Sequence, residues 1–449
     1  MRRSDPGPII ETGRSAPSPH ALRLITVTSL AHFVNDGVVF FVPVIGDLLA
    51  QADHASAVLI TAMLTVFYVF SAGVGIGVGL VSDALGRRGT MIALGITGLA
   101  VSLFAFYLAL SVHGTVSEAL VIVGAVIAGF GSAFYHPLGA SVLQLSFTDA
   151  ARGRALGING AFGSLGRTVY PALFFVVAAL GITKVDTTAV FGGLSLLAAL
   201  GIAFGLRASV TGERSVSPGD DQRVLATAAE APRYDLASST PAPPGGSRGL
   251  PRLLNRSVLA LMGVAFVRSV AFIGIVSWVP VYLTTQRHAG VSGTLGTAVT
   301  VMYAGGIVGQ PVFGILADRF DKRLVLALDS LGSAVGIFAF LGTSGHGAAA
   351  MLTLSLFGFF TFASFPLLLS LVADYVPRDR SATANALVWG LGSTGGQALG
   401  PLVASLLMLG SYARLDLAFG VLGGLAAATV LGTPLLARTA RRARMPLFG

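Results

Sequence analysis

The sequence predicts an all-α polytopic membrane protein: twelve transmembrane helices in two parallel six-helix bundles, with both termini cytoplasmic. Three observations carry this. Apolar residues make up 54% of the 449 and charged residues 11%, against about 25% charged in an ordinary soluble domain. Uncharged runs long enough to cross a bilayer recur along the whole chain. A charged island between two of them, Gly79-Leu80-Val81-Ser82-Asp83-Ala84-Leu85-Gly86-Arg87-Arg88, returns 235 residues later as Gly314-Ile315-Leu316-Ala317-Asp318-Arg319-Phe320-Asp321-Lys322-Arg323. A motif repeated in this way marks two related halves.

Residues 1–20 are polar, with Pro, Ser and Arg, and read as a cytoplasmic tail. Six apolar spans follow at 22–49, 56–81, 90–112, 117–146, 154–181 and 187–207, forming the N-terminal bundle, 21–207. The first is too long for a signal-peptide core and is read as a retained helix. Residues 208–253 hold Ser217-Pro218-Gly219-Asp220-Asp221 and Ser238-Ser239-Thr240-Pro241-Ala242-Pro243-Pro244-Gly245-Gly246. Such a stretch cannot bury a core and reads as a disordered cytoplasmic linker. Spans seven to twelve lie at 255–284, 292–317, 323–342, 347–374, 381–409 and 414–437, forming the C-terminal bundle, 254–437, before a basic tail, 438–449. The 58 glycines suit close helix packing in a bilayer.

Orientation follows from charge. Of 29 Lys and Arg, only Lys184, Arg287 and Arg414 fall in loops on one side, and Arg167 and Arg268 lie within spans. The rest occupy the tails, the linker and the opposite loops, which places both termini in the cytoplasm. This placement accounts for the net charge of +9 and argues against a nucleic-acid partner. With no cysteine in the chain, disulfides, thiolate metal sites and cysteine nucleophiles are excluded. No paired carboxylates, metal-ligand cluster or nucleophile elbow is visible, so neither an enzyme nor a cofactor is expected. The glycine run Gly73-Val74-Gly75-Ile76-Gly77-Val78-Gly79 lies inside a span with no preceding strand and no lysine, and reads as helix contact rather than a phosphate loop.

The halves also match elsewhere. Pro137 in span 4 and Pro366 in span 10 lie 229 residues apart, as do Gly163-Ser164-Leu165-Gly166 in span 5 and Gly392-Ser393-Thr394-Gly395 in span 11. Val42-Pro43 in span 1 corresponds to Val279-Pro280 in span 7. Six spans per half keep the same orientation, so the repeat is parallel.

With its paired G-x-x-x-D motif after spans 2 and 8 and its twelve-span layout, the chain resembles the major facilitator superfamily over nearly its whole length. Within it, the chain is similar to the fosmidomycin-resistance group through Ser29-Leu30-Ala31-His32-Phe33-Val34-Asn35-Asp36, Gly129-Phe130-Gly131-Ser132-Ala133-Phe134-Tyr135-His136-Pro137 and Gly160-Ala161-Phe162-Gly163-Ser164-Leu165-Gly166. It departs where that group tends to carry Gly-Pro in span 5: here the pair is Tyr170-Pro171, and Gly400-Pro401 stands in span 11. The direction of transport is therefore open. The resemblance implies alternating access of two bundles around a central cavity. It also implies a cytoplasmic latch of the outward-open state at Gly79, Asp83, Arg87, Arg88, Asp318, Arg319 and Arg323. Asp83 can accept N–H bonds at a helix start of the other half, and Asp318 is the weaker counterpart. The loops Asp149–Arg154 and Asp374–Arg380 read as further charged contacts on that face.

Asp36 is the sharpest candidate for chemistry. It lies roughly 21 Å into a core about 30 Å thick. A carboxyl at that depth faces a cavity or a partner, and desolvation favours the neutral form of any carboxyl. Asp36 either carries a coupled proton or bonds within the fold and holds span 1 against span 5. His32, one turn earlier on the same face, can share the proton, because imidazole titrates near working pH. Asn35 orients a neighbour or a substrate, and His136 precedes a proline that frees a carbonyl in span 4. Arg167 and Arg268 either bind an anionic substrate or pair with Asp36 or another buried carboxylate. On the Val-Pro alignment, Arg268 and His32 lie at similar depth. Tyr68, Tyr135, Trp278, Tyr282, Tyr303, Gln310, Trp389 and Gln397 are candidates for the cavity wall.

The function expected is a secondary active transporter of a small molecule in the cell membrane. It is driven by the proton gradient through Asp36, runs as efflux of a drug or metabolite, and works as a monomer in the bilayer. Uptake of a small organic anion is the alternative within transport. A transporter-like sensor without flux is the alternative of another class.

Overall fold

The computed structural model describes residues 19–52, 55–85, 87–146, 149–210, 255–289, 293–376, 384 and 387–438. The expected tails and linker lie outside these residues except at their edges. The described residues form an all-helical structure. Helices α1 (Pro19–Gln51), α2 (Ala57–Leu85) and α3 (Arg88–Ser111) are continuous. Span 4 is split into α4 (Gly114–Ser132) and α5 (Tyr135–Ser146), and α6 (Asp149–Ala179) and α7 (Lys184–Val210) complete the first half. In the second half, span 7 is split into α8 (Arg256–Val276) and α9 (Val279–Thr285), followed by α10 (Gly293–Arg319) and α11 (Lys322–Leu341). Span 10 is split into α12 (Ala348–Thr361) and α13 (Ser364–Tyr375). Span 11 begins in a π-helical turn, Val388–Thr394, and continues as α14 (Gly395–Met408). The last span is α15 (Leu415–Ala428) between short 3-10 turns.

Among the described residues, ten stretches are long and apolar enough to cross a membrane by length and composition. The other two expected spans, 347–374 and 381–409, are not among them. The interruptions in spans 4, 7 and 10 each stand just before a proline. A proline lacks the N–H that its residue i−4 would bond and crowds that carbonyl. Pro137 and Pro366 each follow two non-helical residues, Ala133-Phe134 and Phe362-Ala363, at equivalent positions of the two halves. Pro280 follows Ser277-Trp278 in the same way. Four other prolines have no such effect: α1 runs through Pro43, α6 through Pro171, α10 through Pro311 and α14 through Pro401.

The halves repeat one packing scheme. In the first, α1 lies on α6, α3 on α4 and α7, and α2 on α4; in the second, α8 lies on α14, α11 on α12 and α15, and α10 on α12. The halves meet where α2 packs on α14 and α6 on α10, with α1 also against α9. The close approach of α6 to α1 depends on two glycines. A Cβ at Gly163 would sit 2.4 Å from His32 Nε2, and one at Gly166 2.1 Å from the Phe33 carbonyl oxygen. In the second half it is Gly396, not the expected Gly395, that meets a Phe266 carbonyl oxygen as Gly166 meets that of Phe33, with a Cβ distance of 2.3 Å.

The end of the bundle where α1 starts and α7 ends is termed here the terminal face. At the opposite, distal face the halves are tied together. Thr284 Oγ1 donates to Asp47 Oδ1 at 2.5 Å, and Tyr412 OH reaches the Ala55 carbonyl at 3.5 Å. Deeper in, Tyr303 OH donates to the Phe40 carbonyl at 3.2 Å. One hydrophobic core, including Phe41, Phe174, Trp278 and Phe340, runs through both halves here. The central cavity lies on the terminal side of this seal.

Candidate functional site

The cavity is lined by α1, α2, the end of α4, α5 and α6 of the first half and by α8, α10, α12, α13, the π turn and α14 of the second. Its ionisable centre is Asp36, which is buried. Helix α1 puts His32 one turn below it, and its Nε2 lies 3.5 Å from Asp36 Oδ2. The break before α5 turns His136 inward, with Nε2 3.4 Å from Asp36 Oδ1. From α6, Arg167 Nε lies 3.6 Å from Asp36 Oδ2. Asn35 Nδ2 donates to Asp36 Oδ1 at 3.1 Å. Four side chains that the sequence singled out thus converge on one carboxylate.

Each neighbour is itself held. His32 Nδ1 is 2.8 Å from the Asn159 carbonyl oxygen and 3.0 Å from its Oδ1, and the imidazole stacks on Tyr135 with centroids 4.6 Å apart. Tyr135 OH lies 2.9 Å from both Asn159 Oδ1 and the Thr28 carbonyl. Tyr135 therefore supports the site from behind and is not among the cavity-lining residues. Arg167 Nη2 donates to Ser164 Oγ at 2.8 Å, and its guanidinium sits 5.2 Å from the Phe40 ring centroid and 5.3 Å from that of Phe362. One ring comes from each half, so this cation touches both.

Arg268 has a different carboxylate. Its Nη2 lies 2.6 Å from Asp329 Oδ2 in α11 and donates to the Thr361 carbonyl at 2.9 Å. Thr361 is the last residue of α12, so the guanidinium caps the broken helix end, where a cation is favoured. Gln310 Nε2 donates to the Phe362 carbonyl at 3.3 Å, the group that Pro366 leaves without an N–H partner. Arg167 and Arg268 are thus paired separately, each within its own half, and both line the cavity. His32 and Arg268 both border that cavity.

Tyr68, Gln310, Trp389 and Gln397 line the cavity; Trp278, Tyr282 and Tyr303 do not. Trp278 is fully buried against Tyr412. Tyr282 OH donates to Asp416 Oδ1 at 2.5 Å and accepts from Arg287 Nε at 3.0 Å, in a network near the distal face. Tyr303 backs Phe40 and Phe362, with centroids at 5.4 and 5.5 Å. All three are aromatic residues used for packing, which spacing alone does not separate from cavity use.

The surroundings of Gly79, Asp83 and Asp318 lie outside the described residues. Arg87 and Arg319 are exposed. Arg88 is partly buried at the start of α3. Arg323 is turned to its own half: it pairs with Asp321 at 2.8 Å and donates to the Leu436 carbonyl at 3.2 Å. Asp321, which breaks the repeat of the charged island, is the N-cap of α11 and accepts from Arg323 N at 3.0 Å. Its hydrogen bonds from the Arg323 guanidinium hold its carboxyl below the usual carboxylate range. Lys322 pairs with Asp374 at 2.5 Å, tying α11 to the end of α13.

Sequence reasoning missed Asn159, Asp47 and Asp329. Asp329 carried a signal, since it is the one carboxylate inside span 9. It also expected no metal-ligand cluster, whereas nitrogen and oxygen atoms of His32, Asp36 and His136 lie within 4.8 Å of one another.

Residues 27–388 and 286–447 match the family described as Major Facilitator Superfamily. Over 130 residues the chain is 33% identical to an uncharacterized MFS-type transporter of Enterobacter sp., covering 29% of this chain and 32% of the relative. It is 31% identical over 142 residues to a glucose-6-phosphate exchanger of Mus musculus, covering 29% and 26%. It is 29% identical over 170 residues to a multidrug resistance protein of Serratia proteamaculans, covering 35% and 39%. The chain thus matches about a third of the length of these relatives. Among solved structures, a D-xylose-proton symporter superposes with a TM-score of 0.68 at 15% identity, over 95% of this chain and 100% of that one. A structure described as the inward open conformation of the xylose transporter XylE from E. coli gives 0.66 at 14%, over 93% and 96%.

Proposed function

Because the chain belongs to the major facilitator superfamily, and is a multi-pass membrane transporter rather than an enzyme, we propose that it drives efflux of a small drug or metabolite across the cell membrane with the proton gradient. Asp36 is the coupling group in this reading. The observation that carries it is the position of that carboxylate: buried in α1, bordering the cavity, and within 3.6 Å of two imidazoles and a guanidinium. Protonating Asp36 removes the charge that holds Arg167. The released guanidinium, already flanked by Phe40 from one half and Phe362 from the other, can then follow the movement of either. Proton occupancy and the relative position of the halves are linked through one side chain. The likeness to a multidrug resistance protein supports efflux, and the resemblance of the three stretches in spans 1, 4 and 5 to the fosmidomycin-resistance group is in keeping with it.

A second reading is exchange or uptake of a small organic anion. It is favoured by Arg167 and Arg268 both bordering the cavity and by the likeness to a glucose-6-phosphate exchanger. Proteoliposomes with an imposed pH gradient test the first reading: wild-type protein accumulates or expels substrate with the gradient, and Asp36→Asn retains exchange but loses gradient-driven flux. Full gradient-driven flux in Asp36→Asn would remove Asp36 as the coupling site. Counterflow of labelled organic anions, abolished in Arg167→Gln, would select the second reading.

A further inference from the structure

The hydrogen bonds of His32 fix its tautomer. The Asn159 backbone carbonyl, 2.8 Å from Nδ1, is an acceptor only. Nδ1 therefore carries hydrogen and donates. A neutral His32 then turns the lone pair of Nε2 toward Asp36 Oδ2, 3.5 Å away. His136 Nε2 stands 3.4 Å from the other carboxylate oxygen. In the tautomer with hydrogen on Nδ1, His136 presents a second lone pair to this carboxylate, so that two imidazole nitrogens and a carboxylate can share one cation.

The two nitrogen–oxygen distances match those around a metal ion, and the three donor groups lie within 4.8 Å of one another. Nitrogen and oxygen ligands about 2.0–2.1 Å from a tetrahedral zinc lie about 3.4 Å from one another. The Asn159 carbonyl on the far nitrogen of His32 is the kind of outer contact that orients a ligating imidazole, and Tyr135 fixes Asn159 in turn. The Asn35 amide borders the same space, with its Nδ2 donating to Asp36 Oδ1 at 3.1 Å. Asn35 is fully buried, borders this cavity, and its Oδ1 has no hydrogen-bond partner among the described residues.

We propose that His32 Nε2, His136 Nε2 and the Asp36 carboxylate bind a divalent transition cation of the zinc type, with the Asn35 amide beside it. Two imidazoles and one carboxylate favour zinc, cobalt, nickel or copper over calcium and magnesium, which take oxygen ligands. The Arg167 guanidinium, 3.6 Å from Asp36, opposes the ion and makes the site weaker than a structural zinc site. The same charge suits the ion's open position, toward the cavity, to an anionic oxygen ligand. This inference stands on the site's geometry and not on the direction or coupling of transport.

Cobalt(II) tests it, because its visible absorption reports tetrahedral coordination. Tag-free protein in detergent is titrated with Co2+ and then with Zn2+. The result expected is one Co2+ per chain, with a visible band that Zn2+ displaces. His136→Gln weakens binding at least tenfold; His136 is the most exposed of the three ligands, at 39% of its side chain, so this variant keeps the fold. Asn159→Ala keeps the backbone carbonyl that holds Nδ1 and removes only the 3.0 Å contact to Oδ1, so it weakens binding less than His136→Gln does. His346→Gln, at a histidine that contacts the Arg287 carbonyl instead, binds as wild type. Absence of the band, a band unchanged in His136→Gln, or an equal loss in His346→Gln would overturn the proposal.

Discussion

Replacing Gly166 by alanine should separate the two helices that build the site. The added Cβ would lie 2.1 Å from the Phe33 carbonyl oxygen and 2.8 Å from its carbon. Ordinary contact begins at 3.4 Å, so α1 and α6 must part by about 1.3 Å, and the obstacle is backbone that no rotamer change can move. Overpacking of this kind costs about 1–3 kcal/mol. Gly160 lies on the same helix with nothing within 4 Å of its Cβ position. There alanine removes only the helix cost of glycine, a gain of about 0.5–1 kcal/mol. The pair is expected to straddle the wild type in thermal unfolding in detergent: Gly160→Ala at or above it, Gly166→Ala below. Gly166→Ala also lengthens the 3.6 Å contact between Arg167 and Asp36, so it should lose coupled flux at temperatures where it remains folded. Gly166→Ala melting with or above the wild type would refute the account of α1–α6 packing.

Two further predictions concern contacts away from the Asp36 cluster. Asp329→Asn leaves the Arg268 guanidinium buried with no counter-charge and should cost about 3–5 kcal/mol; the double variant Arg268→Met with Asp329→Leu should recover most of the loss in the same melting assay, and no recovery would show that the charges do more than pair. The chain has no cysteine, so Asp47→Cys with Thr284→Cys can be joined across the distal seal by a short bifunctional thiol reagent. Joining should arrest transport reversibly, and undiminished flux in the joined protein would mean that these residues do not separate during the cycle.

The sequence revealed most where the physics is local. Charge-free runs set the spans, and Pro137 and Pro366 mark where spans 4 and 10 break, although Pro43, Pro171, Pro311 and Pro401 stand inside unbroken helices, so a proline alone does not announce a break. Asp36, Arg167 and Arg268 stood out because a charge inside a span needs a reason. What they paired with was less legible. Arg268 chose Asp329 from a neighbouring helix, and the cavity position of Gln310 depends on a carbonyl freed in another span. Asn159 gave no signal, since an uncharged amide in a helix is ordinary until α6 brings it against His32. Trp278 and Tyr282 show the converse: their side-chain type suggested the cavity, and only the fold reveals that they seal the distal end.

The π turn has a consequence for how the two halves differ. Gly163-Ser164 and Gly392-Ser393 lie 229 residues apart, but Pro171 and Pro401 lie 230 apart, as do Gly166 and Gly396, which make equivalent backbone contacts. The second half has taken in one extra residue, and the wider turn absorbs it. Moving that surplus by one position along the helix would swing each residue it passes by about 100° while the flanking segments stay seated. Trp389, Ser393 and Thr394 lie within the turn and border the cavity. The molecule is thus a duplicated frame with a built-in asymmetry: one half keeps a regular α-helical register at this position, and the other carries one surplus residue in a π turn beside the cavity.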